Sequence, residues 1–352
     1  MRIVHWEESP AEDASDWPTV APEAVGLSGG ALEALAQRIR PGELENVHSL
    51  LVLRGGKLAF ERYFAGQDAR WGEASGPASF DRDTLHDVRS VSKSVVSALV
   101  GIAHGEGLLP DLDAPIASFF PEQARGCEAE LAGRTLRHAL TMSAGLSWDE
   151  LTHPYWDPRN DEHALWLAAD PLAFALSRKP VAPPGARFAY NGGMPLILAQ
   201  AIERESGIPF DRYAIERLRR PLGVTRAEWV QHPSGTIVSP SGLRLTPRDM
   251  ARFGQMMLDG GRFAGRQIVP ERYVRAALAP QIALGGNFGG ASHYGYLWWI
   301  AQFPVASGNG GQRVVLDAAT GTLLVVTAGL YDSPRQGEAP IQVLAGVFAA
   351  FR

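Results

Sequence analysis

Ser90 and Lys93 are the residues whose types and spacing most directly offer chemistry, because a potential nucleophile lies three positions before a potential base. Val91, Val95 and Leu99 recur along the same stretch at the spacing of one helix face. Residues i and i+3 of a helix lie on one side, so the two side chains are predicted to touch. A serine hydroxyl becomes an effective nucleophile when a neighbouring group takes its proton.

Lysine is scarce in this sequence, which gives weight to its presence at position 93. Lys57, Lys93 and Lys179 are the only lysines among 33 basic residues. Arginine cannot act as a base, whereas a lysine amine can do so when burial or a nearby cation lowers its pKa. An exposed lysine on an ordinary amphipathic helix gives the same spacing, so the pair needs support from the rest of the chain.

The composition is ordinary for a globular protein of the size of an enzyme. The chain has 352 residues, of which 45% are apolar and 20% charged, and its formal net charge is −5. That charge argues against nucleic acid or a membrane surface as a partner. We expect the protein to be a monomer or a homodimer. The histidines are scattered and Cys127 is the single cysteine, so we expect no metal and no cofactor. The start of the chain lacks a signal-peptide core, which predicts a cytoplasmic protein, or a periplasmic one if a leader was removed.

Strand and helix signals divide the chain into three parts. β-prone runs near both ends flank a middle with helical periodicity. The predicted fold class is α+β, with an antiparallel sheet built from both chain ends, flanked by terminal helices, and an inserted mainly helical domain. The predicted boundaries are 26–82 and 279–352 for the sheet domain, 83–278 for the inserted domain and 1–25 for an irregular lead-in. An active site is expected at the seam between the two domains.

Three local predictions follow from the same patterns. Residues 71–83 have the composition of a loop, and Tyr294–Ile300 is predicted to be one strand. Gly26–Gly30 matches the GxSxG nucleophile elbow, but no buried strand fits ahead of it, so Ser28 is predicted to cap a helix instead. The last predicted helix carries one apolar stripe, formed by Ile341, Leu344, Ala345 and Phe348.

Two further motifs fall at compatible places in the chain. Tyr190 lies in the Pro/Gly-bounded loop Pro184–Gly193, directly before a predicted helix. Gly308–Gln312 precedes a predicted strand, where backbone N–H groups could face a reacting oxygen.

This combination resembles the penicillin-recognising serine hydrolases, which include class C β-lactamases, DD-peptidases, β-lactamase-like carboxylesterases and 6-aminohexanoate-dimer hydrolases. The resemblance covers most of the chain from about Leu27. It extends to Leu140–Leu146, Ser241–Met250 and Tyr294–Trp299, and Pro154–Asp161 is similar to a loop of the nylon-oligomer hydrolases in which a tyrosine contacts substrate. The resemblance implies a β-lactamase/transpeptidase-like fold.

The resemblance also implies a role for each matching residue. Ser90 would be the nucleophile, Lys93 its base or base partner, and Tyr190 the proton shuttle to the leaving group. The backbone N–H groups of Ser90 and Asn309 would form the oxyanion hole. The residues expected at the substrate are Tyr155, Asn191, Gly308 and Gly310.

Two departures from the family motifs shape the predicted function. The third position of the YxN motif is Gly192, and the lysine and threonine positions of the KTG motif are Ala306 and Ser307. In β-lactamases that lysine helps to hold the substrate carboxylate. We therefore expect hydrolysis of carboxylic esters or small linear amides through a Ser90 acyl-enzyme. A catalytically weak penicillin-binding-like module and a residual β-lactamase are the alternatives.

Overall fold

A computed structural model describes residues 1–8, 17–39 and 43–352. Its dominant feature is an antiparallel sheet of eight strands, in the order β11-β12-β13-β14-β15-β16-β2-β3. In chain order, the strands are β1 (Arg2–Glu7), β2 (Val47–Arg54), β3 (Lys57–Tyr63), β4 (Ala65–Arg70), β5 (Glu73–Ser79), β6 (His86–Asp87), β7 (Arg226–Gln231), β8 (Leu243–Leu245), β9 (Arg262–Phe263), β10 (Arg266–Gln267), β11 (Ile282–Phe288), β12 (Ala291–Tyr294), β13 (Trp299–Ile300), β14 (Pro304–Gly308), β15 (Gln312–Asp317) and β16 (Thr322–Ala328).

Helices cover both faces of this sheet. α1 and α12 pack on one face, and α2 and α10 contact the other. The helices are α1 (Gly29–Ile39), α2 (Val91–Gly105), α3 (Ile116–Phe119), α4 (Glu128–Leu131), α5 (Leu136–Leu140), α6 (Asp161–Leu167), α7 (Pro171–Leu176), α8 (Gly193–Ser206), α9 (Phe210–Ala214), α10 (Pro247–Leu258), α11 (Glu271–Ala277) and α12 (Glu338–Ala349). Among the described residues, no helix has both the length and the apolar content needed to cross a membrane.

The sheet joins the two ends of the chain, as the strand pattern predicted. Strand β2, which lies next to the edge strand β3, pairs with β16 from the far end of the chain, and Leu51 lies opposite Val325. Successive β2 residues face opposite sides: Leu51 packs in the core with α2 and α10, while Leu50 packs in the core with α1 and α12. The predicted antiparallel sheet flanked by the terminal helices is therefore confirmed.

Close packing places α10 directly on the sheet. A Cβ at Gly254 would come within 2.6 Å of a Leu323 methyl carbon, so only glycine permits this approach. Helix α10 belongs to the segment predicted as the inserted domain, and that segment also contains the small strands β6, β7 and β8. The domain boundaries 26–82, 83–278 and 279–352 stay a prediction.

The first residues of the chain are more ordered than the sequence suggested. Arg2–Glu7 forms β1, which pairs along its whole length with β7 in a second, four-stranded sheet. The prediction of an irregular lead-in over 1–25 is therefore wrong for this strand, while residues 9–16 lie outside the described residues. Trp6 is buried beneath the strand, and this long-range packing has no local signature in the sequence.

Two other local predictions need correction. Most of the segment predicted as a loop forms the β4–β5 hairpin, whose turn places Trp71 and Gly72 at positive φ. The strand predicted over Tyr294–Ile300 is broken, because Leu297 adopts a φ of 59° and its N–H donates to the Leu140 carbonyl. The prediction that Ser28 caps a helix is confirmed, since its hydroxyl oxygen accepts the Ala31 N–H of α1.

Candidate active site

Ser90 lies at the N-terminal end of α2, a helix whose first 13 residues are all buried. The residue before it, Arg89, has a φ of 48°, which is a strained conformation for a non-glycine residue. The guanidinium of Arg89 lies 3.9 Å from the Asp87 carboxylate and over the ring of Tyr331. These contacts hold the strained backbone and present the partly exposed Ser90 hydroxyl to a cleft.

Lys93 makes the contact with Ser90 that the spacing predicted. Its Nζ donates to Ser90 Oγ at 3.1 Å, and it also reaches the Pro240 carbonyl oxygen at 3.4 Å. The side chain is only 1% exposed, so this is not a solvated surface lysine. The Lys93 ammonium also lies 4.8 Å from the centre of the Tyr190 ring. Ser90, Lys93 and Tyr190 are therefore brought together.

Two buried carboxylates that were not predicted from the sequence accompany Lys93. Glu150 Oε1 lies 3.5 Å and Glu162 Oε2 3.7 Å from Lys93 Nζ. Glu150 Oε2 accepts the Gly192 N–H at 2.6 Å, and Glu162 Oε1 accepts the Ser241 hydroxyl at 2.6 Å. Neither glutamate follows a local pattern that marks it as a partner of a lysine far along the chain.

These carboxylates account for one departure from the family motif. A Cβ at Gly192 would lie 3.1 Å from both Glu150 Oε2 and Glu162 Oε2. Any larger side chain at this position would crowd the two acids. Glycine at the third position of the YxN motif is therefore matched to the carboxylate pair in this chain.

The pKa values of the three buried ionisable groups, Lys93, Glu150 and Glu162, are shifted in different ways. Burial, reinforced by the negative charge of Glu162, raises the pKa of Glu150 to about 8. Burial also acts to raise the pKa of Glu162, but Lys93 and hydrogen bonds from Glu150 and Ser241 outweigh it and hold that pKa below its usual value. Near neutral pH, Glu150 therefore holds a proton and Glu162 is ionised.

Lys93 itself is held as a cation. Burial acts to lower its pKa, but Glu150, Tyr190 and Glu162 outweigh burial and raise the pKa above its ordinary value. This is opposite to the lowered pKa that the sequence argument required of a lysine base. The difference arises from two acids that the spacing of Ser90 and Lys93 could not reveal.

Tyr190 lies where its hydroxyl can exchange a proton with the other two groups. Its ring stacks on Trp299 with centroids 5.3 Å apart, which fixes its orientation. Burial raises its pKa, while the positive charge of Lys93 and a hydrogen bond with Ser90 act to lower it. Trp299 lines the cleft, whereas its neighbour Trp298 is fully buried.

The turn after β14 lies on the other side of the cleft from Tyr190. A Cβ at Gly308 would lie 2.2 Å from the Val88 carbonyl oxygen, so glycine alone allows this turn to approach the start of α2. Asn309 and Asp332 hold the turn reciprocally, through hydrogen bonds of 2.6 and 2.8 Å. Within the described residues, the backbone N–H groups of Ser90 and Asn309 donate to no acceptor, as an oxyanion hole requires.

The residues expected at the substrate divide into two groups. Gly308 and Tyr155 line the cleft, and the Tyr155 hydroxyl donates to Glu150 at 3.2 Å. Asn191 instead is buried, and its side-chain oxygen accepts the Gly193 N–H at the start of α8. The N–H of Gly310 is occupied by the side chain of Gln336. The structure therefore does not bring Asn191 or Gly310 to the cleft in a form that could bind substrate.

The cleft has a volume of about 790 Å³, which suits a small organic substrate. One wall is aromatic, formed by Tyr155, Tyr190, Phe288 and Trp299. The site thus combines a serine hydroxyl in contact with a buried ammonium and a tyrosine, and two N–H groups without an acceptor among the described residues. These are the parts that acyl transfer needs.

The fold and the site define a β-lactamase-like serine hydrolase. The chain belongs to the β-lactamase family, whose model, described as Beta-lactamase, matches residues 43–346. A 6-aminohexanoate-dimer hydrolase from Paenarthrobacter ureafaciens is 28% identical over 325 residues, which are 84% of this chain and 76% of the relative.

Solved structures show the same fold at lower identity. A candidate 6-aminohexanoate-dimer hydrolase from Bacillus anthracis superposes with a TM-score of 0.77 and 22% identity, over 99% of this chain and 89% of that one. A family VIII carboxylesterase superposes with a TM-score of 0.70 and 15% identity, over 96% and 99% of the two chains. This chain thus has a relative named for the 6-aminohexanoate dimer and shares its fold with a protein named as a carboxylesterase.

Proposed function

We propose that this protein hydrolyses carboxylic esters or small linear amides through an acyl-enzyme on Ser90. The observation that carries the proposal is the 3.1 Å contact between Ser90 Oγ and the buried Lys93 ammonium, in a cleft that Tyr190 also lines. A surface lysine would not be buried among two carboxylates and a tyrosine. This arrangement supports proton transfer at Ser90.

The proposed reaction has two steps. Ser90 Oγ attacks the substrate carbonyl carbon while its proton passes to the Tyr190–Lys93 pair, which titrates as one coupled unit and must have released one proton before the attack. The resulting oxyanion accepts hydrogen bonds from the N–H groups of Ser90 and Asn309. The pair then protonates the departing alcohol or amine, and the acyl group remains on Ser90. Water, deprotonated by the same pair, hydrolyses the acyl-enzyme and restores the free serine.

The substrate class follows from the departures at the KTG motif and from the relatives. Ala306 is fully buried and offers no amine to a β-lactam carboxylate. One relative is named as a 6-aminohexanoate-dimer hydrolase, and a protein of the same fold is named as a carboxylesterase. These observations together favour linear esters and amides over β-lactams.

A second candidate function is a penicillin-binding-like module with little turnover. It is favoured by the same absence of a lysine at position 306 and by the burial of Asn191, which does not line the cleft. Such a module would bind its ligand without repeated hydrolysis. A residual β-lactamase is the narrower form of this alternative.

Hydrolysis of a short-chain p-nitrophenyl ester tests the proposal. We expect turnover by the wild-type protein and its loss in Ser90→Ala, with the fold retained by circular dichroism. Ser28→Ala is the matched control, because Ser28 lies in the competing GxSxG motif but caps α1, and it should keep turnover. Mass spectrometry after a fluorophosphonate should show a single adduct on Ser90. Absence of both turnover and labelling would favour the binding module, and nitrocefin turnover would indicate a β-lactamase.

A further inference from the structure

The cleft continues past Ser90 into an apolar side groove between β14, β15 and α12. The groove is lined by Phe303, Val305, Val315, Ile341, Leu344 and Phe348. Helix α12 turns Val343 and Val347 into the core, and the apolar stripe predicted from the sequence lies on its groove-facing side. Ile341 is 50% exposed there, so the stripe offers apolar surface that the described residues leave uncovered.

Arg313 lies where this groove meets the catalytic cleft. Its position on β15 is opposite Ser307 on β14, and one of its terminal nitrogens donates to the carbonyls of Gly308 and Gln312 at 3.3 and 2.8 Å. Arg313 is therefore held against the turn that carries the proposed oxyanion donor. It is the only arginine or lysine among the described residues that line the cleft.

The rest of the Arg313 guanidinium has no partner in the described part of the chain. No carboxylate forms an ion pair with it, and its Nε and second terminal nitrogen donate to no acceptor there. Burial lowers its pKa to about 10, which still leaves it a cation at neutral pH. By contrast, buried Arg244 is paired with Asp87 at 2.8 Å and with Glu228 at 3.0 Å. A partly buried cation without a counter-charge is costly, and an anion from outside would relieve that cost.

We propose that Arg313 and the side groove form a subsite for a carboxylate on the substrate, with its apolar chain against α12. The free Nε–H and terminal N–H groups form one edge of the guanidinium, and this edge matches the two oxygens of a carboxylate. The subsite rests on the proposed hydrolase function and narrows its substrates to linear esters or amides that carry a carboxylate. Arg313 lies opposite Ser307, on the other face of the sheet from Ala306, so this contact would not replace the lysine of the family motif.

Matched ester pairs test the subsite through a ratio. Monoethyl glutarate and ethyl pentanoate differ by a carboxylate on the acyl side, and butanoyloxyacetate and ethyl butanoate by one on the alcohol side. A pH-stat measures acid release from all four. For the pair whose carboxylate reaches Arg313, we expect Arg313→Met to lower the charged-to-neutral ratio of kcat/KM by about 10- to 100-fold. The other pair shows which side of the scissile bond the groove receives.

Two variants separate this contact from general effects of charge and structure. Arg335→Met removes an exposed arginine, paired with Glu45 and Glu338, and should leave the ratio as in the wild type. Arg313→Lys keeps the charge but not the paired N–H geometry, so its ratio should fall between those of the wild type and Arg313→Met. A ratio that does not change in Arg313→Met for either pair would overturn the subsite.

A binding measurement keeps the subsite testable if no ester is turned over. Calorimetric titration of the wild-type protein with hexanoate should show saturable binding, at least tenfold weaker in Arg313→Met, while 1-hexanol should bind no better to the wild type than to the variant. Absence of ester turnover with Arg313-dependent hexanoate binding would refute the hydrolase and keep the subsite. Equal hexanoate binding by both proteins, or none by either, would refute the subsite even if esters are hydrolysed.

Discussion

Glu150→Gln should remove a large part of the pH dependence of stability. The wild-type carboxyl is fully buried, with its pKa raised from 4.5 to about 8 by burial and by Glu162. Between those values, the folded protein binds a proton at Glu150 that the unfolded chain has already released. This bound proton therefore stabilises the folded protein fully below the unfolded-state pKa of 4.5. The stabilisation is lost as the pH rises through the folded-state pKa of about 8.

The magnitude follows from the shift. One pKa unit corresponds to about 1.4 kcal/mol. Through Glu150, the free energy of unfolding of the wild type should therefore fall by about 3 kcal/mol as the pH rises from 5.5 to 8. Glutamine has the shape of the protonated acid and can still accept the Gly192 N–H. Glu150→Gln should thus be similar to the wild type at pH 5.5 and more stable than it at pH 8.

Urea unfolding at several pH values measures this difference. Glu271→Gln is a suitable control, since it removes an exposed carboxylate paired with Arg275 and should leave the pH slope unchanged. Equal slopes for the wild type and Glu150→Gln would refute the assignment of the shared proton to this carboxyl. A variant that is less stable than the wild type at both pH values would show that the glutamine does not fit the site.

Three shorter predictions follow from the same structure. Lys93→Arg should lower ester turnover by about 10²-fold or more in a p-nitrophenyl assay, because a guanidinium cannot exchange the proton. Burial lowers the pKa of His48 from 6.5 to about 4. The free energy of unfolding of the wild type, measured with urea, should therefore fall by about 2 kcal/mol between pH 7 and pH 4.5. The fall should be smaller in His48→Gln. Gly308→Ala should lower turnover at least tenfold, since its methyl group would meet the Val88 carbonyl; Gly30→Ala, which has open space, should not.

The sequence predicted those features that depend on neighbours along the chain. Ser90 and Lys93 touch because three residues separate them on one helix, and the β2–β3 hairpin forms around a Gly-Gly turn. Features that depend on distant pairing were missed. Glu150 reaches Lys93 from 57 positions away, and β1 pairs with a strand more than 200 residues later.

Two glycine-rich motifs show a subtler limit. The patterns around Tyr190 and Asn309 located the correct loops, but not which polar groups in them are free. Asn191 is used to hold the first turn of α8, and the Gly310 N–H is used by the Gln336 side chain. A motif identifies a loop, whereas the hydrogen bonds within the fold decide which of its groups remain for a substrate.

The charge state of Lys93 bears on which group first takes the Ser90 proton. An ammonium with a raised pKa cannot accept a further proton. In the resting protein, the acceptor of the Ser90 proton must therefore be another group in contact with Ser90. Burial raises the pKa of Tyr190 as well, so in the proposed mechanism the phenol must first release its proton. The phenolate would then accept the Ser90 proton, and the Lys93 ammonium beside its ring would stabilise it. Near neutral pH, the ionised Glu162 carboxylate helps to hold Lys93 as a cation. In the proposed mechanism, this charge would shift the basic member of the coupled pair from the amine toward the phenol.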